Sequence, residues 1–449
     1  MIEMIEMIER VRILITCVWI AAGRWMGARG GHGSIAGVSS PIPRPTAAAA
    51  PWAEPMFSIG VTGTNGKTST TWMIGAALRA ADHSVLRIST LGVALDDEVL
   101  PRGKRYADFL ATLELASVRG CRHAVIETTS LALAKGYARQ WRFDLGVFTN
   151  LSVDHFGTHG SWEHYLAAKA QLFMHLGPGR VAVLNAADPH ALFIDQAIAG
   201  DIERRWFAAP GRGEQLRAAD LVAESIELGA SGTTVRLAPS PAAKALGGTL
   251  RTRMVGEVFG ENALAAALAG LAAGVPGEAV ARGIAECPVV PGRFEILDHG
   301  ADRPTIVVDY AHSPDALAHT CATARRLAGK GRVIVVFGVG GGATVDKRRA
   351  MGEAVGARAD LAIVTSDNPR DEDPGAIAAA LAVAVRAGGR ATVEIELDRA
   401  AAIAGALALA GAGDVVVVAG KGHEQGQVVR GQTRPFSDVE VVRRCLRRT

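Results

Sequence analysis

The sequence predicts an α/β protein built from two domains on largely parallel sheets. Three observations lead to that class. From Met56 onward, short Val/Ile-rich runs alternate with longer helix-compatible stretches, the pattern of a doubly wound sheet. The stretch Pro288 to Arg293 interrupts the alternation, which then starts again. A glycine-rich run, Gly60-Val61-Thr62-Gly63-Thr64-Asn65-Gly66-Lys67-Thr68-Ser69, falls between an apolar stretch and a helical one.

In the first domain, strands are expected at Phe57–Val61, Ala124–Ile126, Asp144–Phe148 and Val181–Leu184. Helices are expected at Thr68–Arg79, Ala107–Arg119 and Trp162–Leu176. Leu221–Leu228 and Thr233–Leu237 read as a hairpin-like insertion, and a helix at Glu261–Ala273 closes the domain. After the Pro288–Arg293 linker, strands follow at Thr305–Val308, Val333–Phe337, Leu361–Thr365, Val393–Leu397 and Val415–Ala419. They are interleaved with helices at Pro314–Leu327, Arg348–Ala357, Pro374–Ala387 and Arg399–Leu409. This second unit is Rossmann-like. It has no convincing G-x-G-x-x-G opening, and the glycines at 340–342 come only after its second strand, so it need not bind a dinucleotide.

Bulk properties narrow the function. A formal net charge of +3 argues against a nucleic-acid binder. The five cysteines are scattered singly without C-x-x-C, which fits a reducing cytoplasm and argues against a disulfide or zinc framework. Residues 1–55 differ in character. Met1-Ile2-Glu3 repeats three times, the uncharged run Ile13 to Gly23 is too short for a membrane span, and 41–55 is a Pro- and Ala-rich linker. A disordered or mis-started leader, rather than a targeting signal, is expected there, followed by the linker.

The glycine-rich run carries the clearest chemistry. A strand, a glycine turn and a helix N-terminus together make a phosphate cradle. Gly63 and Gly66 let backbone N–H groups face an anion, Lys67 adds a mobile positive charge, and the Thr68 hydroxyl can ligate Mg²⁺. Val61 stands where the strict P-loop spacing needs glycine, so the loop is a variant.

Ligands of open α/β sheets collect at the carboxyl ends of strands. Five apolar runs here end in polar groups: at Glu127; at Thr149-Asn150 and then Asp154-His155; at Asp309 and His312; at Asp367-Asn368-Pro369-Arg370; and at Gly420 to Glu424. Their shared end predicts a cleft between the domains. Glu127 is a candidate Mg²⁺ ligand or a helix N-cap. Lys169 falls on an apolar helical stripe with Trp162, Leu166 and Phe173. It is read either as a snorkelling lysine or as a desolvated amine able to add CO₂ as a carbamate. His155, in a loop after a strand, is read either as a surface or capping histidine or as a group serving the proposed metal. Arg370 can grip a carboxylate at two points or form a surface salt bridge.

Several of these segments, in this order, resemble the Mur ligase family. Thr62 to Thr68, Phe148 to His155 and Ala167 to Phe173 look like its central domain. Val290 to Arg293, Val308 to Asp315, Thr365 to Arg370 and Gly420 to Glu424 look like its C-terminal domain. The resemblance implies a central P-loop ATPase domain on a mostly parallel sheet, residues 56–287, and a Rossmann-like C-terminal domain, residues 288–449. It implies a cytoplasmic, ADP-forming acid–amino-acid ligase that uses ATP and Mg²⁺ and works through an acyl phosphate. Its partners would be small molecules, an amino acid and an acidic muramoyl-peptide-like acceptor in peptidoglycan synthesis.

Residue by residue, the resemblance implies that Gly63, Thr64, Asn65, Gly66, Lys67, Thr68 and Ser69 hold ATP phosphates. Asn262, Asp309 and His312 would hold adenine and ribose, and Arg293 would neutralise phosphate charge. Thr68, Glu127, His155 and a carbamylated Lys169 would serve Mg²⁺, so that Lys67, Glu127, His155, Lys169 and Arg293 form the catalytic set. Asp367, Asn368, Arg370, Gly420 and Glu424 look like the version of the site that takes meso-diaminopimelate. Thr128 and Thr129 would face the acid substrate.

The chain also departs from the family pattern. The unlike leader stands where the family has a domain for a uridine nucleotide, which a partner could supply. Thr128-Thr129-Ser130-Leu131 replaces a serine-serine-histidine run, and Tyr137 an expected arginine. Phe259 replaces an asparagine near Asn262, and Gly342-Ala343-Thr344 an acidic-basic-acidic run. These departures leave room for a ligase of another acid, polyglutamate- or cyanophycin-type, or for a nucleotide-binding pseudoenzyme.

Overall fold

A computed structural model describes residues 52–103, 105–152, 161–210, 213–300 and 302–447. The expected leader lies almost wholly outside them. Strands Phe57–Thr62 (β1), Val85–Ser89 (β2), Gly92–Leu95 (β3), Glu98–Leu100 (β4), His123–Glu127 (β5), Leu145–Phe148 (β6), Val181–Asn185 (β7), Glu203–Ala208 (β8), Leu221–Gly229 (β9), Gly232–Leu237 (β10) and Thr249–Thr252 (β11) form one sheet. Its order is β11-β10-β9-β8-β7-β6-β1-β5-β2-β3-β4. From β9 through β1 to β2 every pairing is parallel, and antiparallel strands extend both edges. The segment expected as an inserted hairpin is therefore part of the main sheet, because Phe207 and Ala208 of β8 pair in parallel with Leu221 and Val222 of β9.

Central strands are buried on both faces, as parallel strands must be. Ile59, Val61, Val125 and Val147 pack on helices Lys67–Arg79 (α1), Glu257–Ala272 (α5) and Gly277–Glu286 (α6). Ala124, Ile126 and Phe148 face Tyr106–Val118 (α2), Trp162–Met174 (α3) and Pro189–Ala197 (α4). The close approach of α3 explains Gly60: a Cβ there would stand 2.7 Å from Leu172 Cδ1.

The second sheet has the order β12-β13-β17-β14-β15-β16, with Glu295–Gly300 (β12), Arg303–Asp309 (β13), Val333–Phe337 (β14), Leu361–Val364 (β15), Thr392–Ile395 (β16) and Val415–Ala419 (β17). All pairings are parallel except that of β12 with β13. Helices Pro314–Ala328 (α7), Val345–Gly356 (α8) and Pro374–Gly388 (α9) cover one face. Arg399–Leu409 (α10) and Asp438–Leu446 (α11) cover the other. Gly426–Val429 (β18) and Gln432–Pro435 (β19) make a separate hairpin. Helix α8 starts three residues before its expected Arg348 because Thr344 caps it, accepting from Lys347 N at 3.2 Å. Thus a residue of the run read as a lost charged motif is used as a helix cap.

The domains share one apolar cluster that continues from Ile59 and Phe259 into Phe294, Val307 and Val335. Arg326 of α7 also pairs with Glu257 of α5 across the boundary.

Candidate active site at the domain boundary

Strand β1 ends at Thr62, and the chain turns through Gly63–Gly66 into α1. Gly66 has φ of 84°, and a Cβ there would stand 2.2 Å from Asn262 Oδ1, so only glycine lets Asn262 of α5 approach the loop. The loop is pinned from beside and below. Thr64 N donates to Asn150 O at 2.8 Å, Asn65 N donates to Asn150 Oδ1 at 3.0 Å, and Thr149 Oγ1 donates to Asn65 O at 2.6 Å. Lys67 Nζ bends back to donate to Thr64 O at 2.7 Å.

Beyond the loop, Thr68 Oγ1 donates to Glu127 Oε2 at 3.0 Å. The same oxygen accepts from Thr90 N at 2.8 Å and Thr90 Oγ1 at 3.1 Å. Glu127 is therefore not a helix N-cap; Thr129 caps the short helix Ser130–Ala134 instead. The pair fits a magnesium ion. Neighbouring ligands of an octahedral Mg²⁺ at about 2.1 Å lie about 3.0 Å apart, matching the hydroxyl–carboxylate spacing. Among the described residues no three His, Cys, Asp or Glu side chains gather to hold a metal.

Lys169 does not snorkel. It is only 1% exposed, and Nζ donates to Gly63 O at 2.6 Å with the Tyr165 ring 4.3 Å away. The amine thus sits under the phosphate loop and reaches the cavity wall.

The opposite wall comes from the second domain. Arg293 Nη2 donates to Thr68 Oγ1 at 3.2 Å, and its guanidinium lies 4.4 Å from the Tyr310 ring centre. Asp309 is buried at the end of β13. Oδ1 accepts from Phe294 N at 3.1 Å and Oδ2 from Thr320 Oγ1 at 2.5 Å; burial pushes its carboxyl above the usual range. His312 Nδ1 lies 2.7 Å from Tyr310 O. Burial, helped by the Arg293 charge, lowers His423 to about 4, so this imidazole is neutral at pH 7.

These groups, His423 apart, line a cavity of about 470 Å³. Among the expected ATP-side residues, Thr64 to Ser69, Glu127, Lys169, Asn262, Arg293, Asp309 and His312 line it, as does Thr129. Gly63 lies behind the wall. Thr128 does not face the cavity, because its N–H and hydroxyl both donate to Val61 O, at 2.8 and 3.0 Å. Asp154 and His155 lie outside the described residues.

Asp367, Asn368, Arg370, Gly420 and Glu424 gather at the ends of β15 and β17, away from the cavity wall. Asn368 Nδ2 donates to Glu424 Oε2 at 3.1 Å. A side chain on Gly420, at φ of 115°, would stand 2.9 Å from Asp367 Oδ2. Arg370 is exposed and makes no ion pair among the described residues; its Nη1 donates to Gly341 O at 3.0 Å. It holds φ of 56°, a left-handed backbone rare for arginine. Sequence reasoning missed Thr90, Tyr310, Asp315 and Lys421. Thr90 follows β2, a strand not expected from the sequence, and it meets Glu127 only through the sheet order.

Residues 61–270 match the Mur ligase middle domain, and 292–422 match the Mur ligase glutamate ligase domain. A Bacillus velezensis UDP-N-acetylmuramoyl-L-alanyl-D-glutamate--2,6-diaminopimelate ligase is 36% identical over 398 residues, covering 86% of this chain and 78% of that relative. A solved ligase of the same name superposes with a TM-score of 0.61 at 30% identity, covering 88% of this chain and 79% of the other. Mycobacterium tuberculosis folylpolyglutamate synthase, complexed with ADP and AMPPCP, shares the fold with a TM-score of 0.65 at 20% identity, over 82% and 89% of the two chains. A phosphate loop facing an arginine across a domain boundary, with both domains matching in order, makes this chain a member of the Mur ligase family of ATP-dependent, ADP-forming ligases.

Proposed function

We propose that this chain joins meso-diaminopimelate to the acid UDP-N-acetylmuramoyl-L-alanyl-D-glutamate in peptidoglycan synthesis, at the expense of ATP and in the cytoplasm. The observation that carries this reading is the meeting of Arg293 with Thr68, 3.2 Å apart, beside Glu127. It sets a cation from one domain against the phosphate cradle of the other.

The chemistry follows from that placement. The loop N–H groups and Lys67 hold the triphosphate. A carboxylate oxygen of the acid attacks the terminal phosphorus; the bond to ADP breaks and an acyl phosphate forms. Arg293 offsets the negative charge that gathers there. The neutral amine then attacks the acyl carbon, phosphate leaves, and the amine proton goes to solvent. Mg²⁺ held by Thr68 and Glu127 would supply charge neutralisation on the phosphates. Asn262, Asp309 and His312 would frame the nucleoside, with Asp309 acting largely by shaping the Phe294 turn. His155 and Lys169, the latter as a carbamate, would serve a second Mg²⁺. The buried Lys169 amine already stands at this position, with Nζ donating to Gly63 O beneath the loop. Arg370 and Glu424 would read the distal carboxylate and amino group of the amino acid.

Purified protein with Mg-ATP would be offered paired acids and amines while ADP and phosphate release is followed. Release that requires both UDP-N-acetylmuramoyl-L-alanyl-D-glutamate and meso-diaminopimelate supports the proposal. Release with a folate or polyglutamate acid instead replaces it. For Lys169, Lys169→Ala is expected to lose turnover and regain part of it with added acetate; no regain removes the carbamate.

A further inference from the structure

Lys421 is a buried cation that the proposed chemistry does not use. Its side chain is fully buried, and Nζ donates to Asn368 Oδ1 at 2.9 Å, Glu424 Oε2 at 3.1 Å and Gly426 O at 2.8 Å. Asp367 Oδ1 stands 3.4 Å away, an ionic contact without a hydrogen bond. One ammonium therefore ties the loop after β15 to the loop after β17 and to the first residue of β18.

The contacts decide how neighbouring groups point. Asn368 Oδ1 accepts from both Lys421 Nζ and Val428 N, the latter at 2.9 Å. That fixes the amide orientation, since the other flip would set two donors against its NH₂ group. Nδ2 is thereby turned to Glu424 Oε2, using one of its two hydrogens. Glu424 Oε2 is occupied by Lys421 and Asn368, whereas Oε1 has no donor among the described residues. The same strand carries Arg370: its N–H donates to Val428 O at 3.0 Å and its carbonyl accepts from Arg430 N at 2.6 Å. Lys421, directly at Gly426 and through Asn368 at Val428, holds the first half of the segment that pairs with Arg370 and its left-handed backbone.

We infer that Lys421 is a positioning residue for amino-acid recognition: its ammonium orients the Asn368 amide, one oxygen of Glu424 and the β18 strand that seats Arg370. The free faces of these groups then offer a carboxylate-binding guanidinium and amide beside an ammonium-binding carboxylate, which is the signature of a zwitterionic amino-acid end. Lys421 also balances charge, since its ammonium stands 3.4 Å from Asp367 Oδ1 and 3.1 Å from Glu424 Oε2. This rests on the ligase reading above.

The test uses the full chain with Lys421→Gln, which keeps a donor and removes the charge, alongside Lys421→Met. Nucleotide affinity, read by calorimetry with a non-hydrolysable ATP analogue, is expected to stay within about twofold, which also reports folding. The KM for meso-diaminopimelate is expected to rise at least tenfold with a smaller change in kcat. Discrimination against L-lysine, which lacks the second carboxylate, is expected to shrink. A substrate-independent readout accompanies these: amide hydrogen exchange across 426–430 and at Arg370 should quicken about tenfold in Lys421→Gln, with 63–69 unchanged. Unaltered KM and unaltered exchange overturn the assignment, as does a parallel fall in nucleotide affinity. Should the wild-type chain fail to use diaminopimelate, the substrate reading falls, and the exchange experiment still decides the role of Lys421.

Discussion

Asn65 Nδ2 of the phosphate loop donates to Asp315 Oδ2 of the second domain at 2.9 Å, across 250 residues of sequence. Asp315 also lies 3.1 Å from His319 Nε2, one helical turn away. The loop expected to grip phosphate is thus in direct contact with the first turn of α7.

If that contact helps to hold the domains at the nucleotide, Asp315→Ala should weaken an ATP analogue severalfold. A hydrogen bond to a charged group contributes about 1.5–3 kcal/mol, and the part-exposed Asp315 falls toward the lower end. Calorimetric titration reads this directly, and an unchanged affinity would separate the contact from nucleotide binding.

Glu127→Gln keeps an acceptor for Thr90 and Thr68 but removes the negative charge. We expect kcat to fall on the order of 100-fold, the scale for losing one electrostatic transition-state contact. The Mg²⁺ concentration for half-maximal rate should rise with it. A normal Mg²⁺ requirement would take Glu127 out of the metal site.

Arg399 and Asp438 form a two-point ion pair with no exposed side-chain surface, at 2.7 Å for each contact, and Arg399 Nη2 also donates to Ala419 O at 2.8 Å. Removing one partner leaves a buried charge. Arg399→Met should therefore destabilise the second domain by about 3–5 kcal/mol, whereas Arg399→Met/Asp438→Leu should recover most of it. Urea unfolding of both variants is the check; equal losses in the two would mean the pair is not the cause.

Burial lowers His123 and His423 to about 4 from 6.5. The unfolded chain takes up these protons near pH 6.5, but the folded chain does so only near pH 4. Stability is therefore full above about 6.5 and declines as pH falls toward 4. The melting temperature should drop across that window, and less steeply for His123→Phe. Parallel curves for the two proteins would exclude His123 as a contributor.

The strands of both central sheets were legible because five-residue Val/Ile runs, such as Val333–Phe337 and Val415–Ala419, have few other uses than a strand buried on both faces. The β18–β19 hairpin was not, since its residues are half-buried or exposed and carry no apolar alternation. Edge strand β12, EILDHG, hid for a similar reason: its apolar content ends at Leu297. Among site residues, Glu127 and Asp309 were visible as polar ends of apolar runs. Thr128 was misplaced because adjacent strand-end residues point to opposite sides, and only the register with Val61 shows which one turns inward.

By itself the sequence determined the α/β class, the glycine-rich turn between strand and helix, and the polar strand ends. These are local: a strand, a turn and a helix need only neighbouring residues to declare themselves. What the tertiary structure decided is which strand ends meet. Sheet order puts β5 beside β1 and so Glu127 beside Thr68; the domain contact brings Arg293 and Asp315 onto the loop. It also decided the fate of two lysines. Lys169 and Lys421 carry the same four-carbon stem as any surface lysine, and packing alone closed them off from water, one under the phosphate loop and the other between two carboxylates.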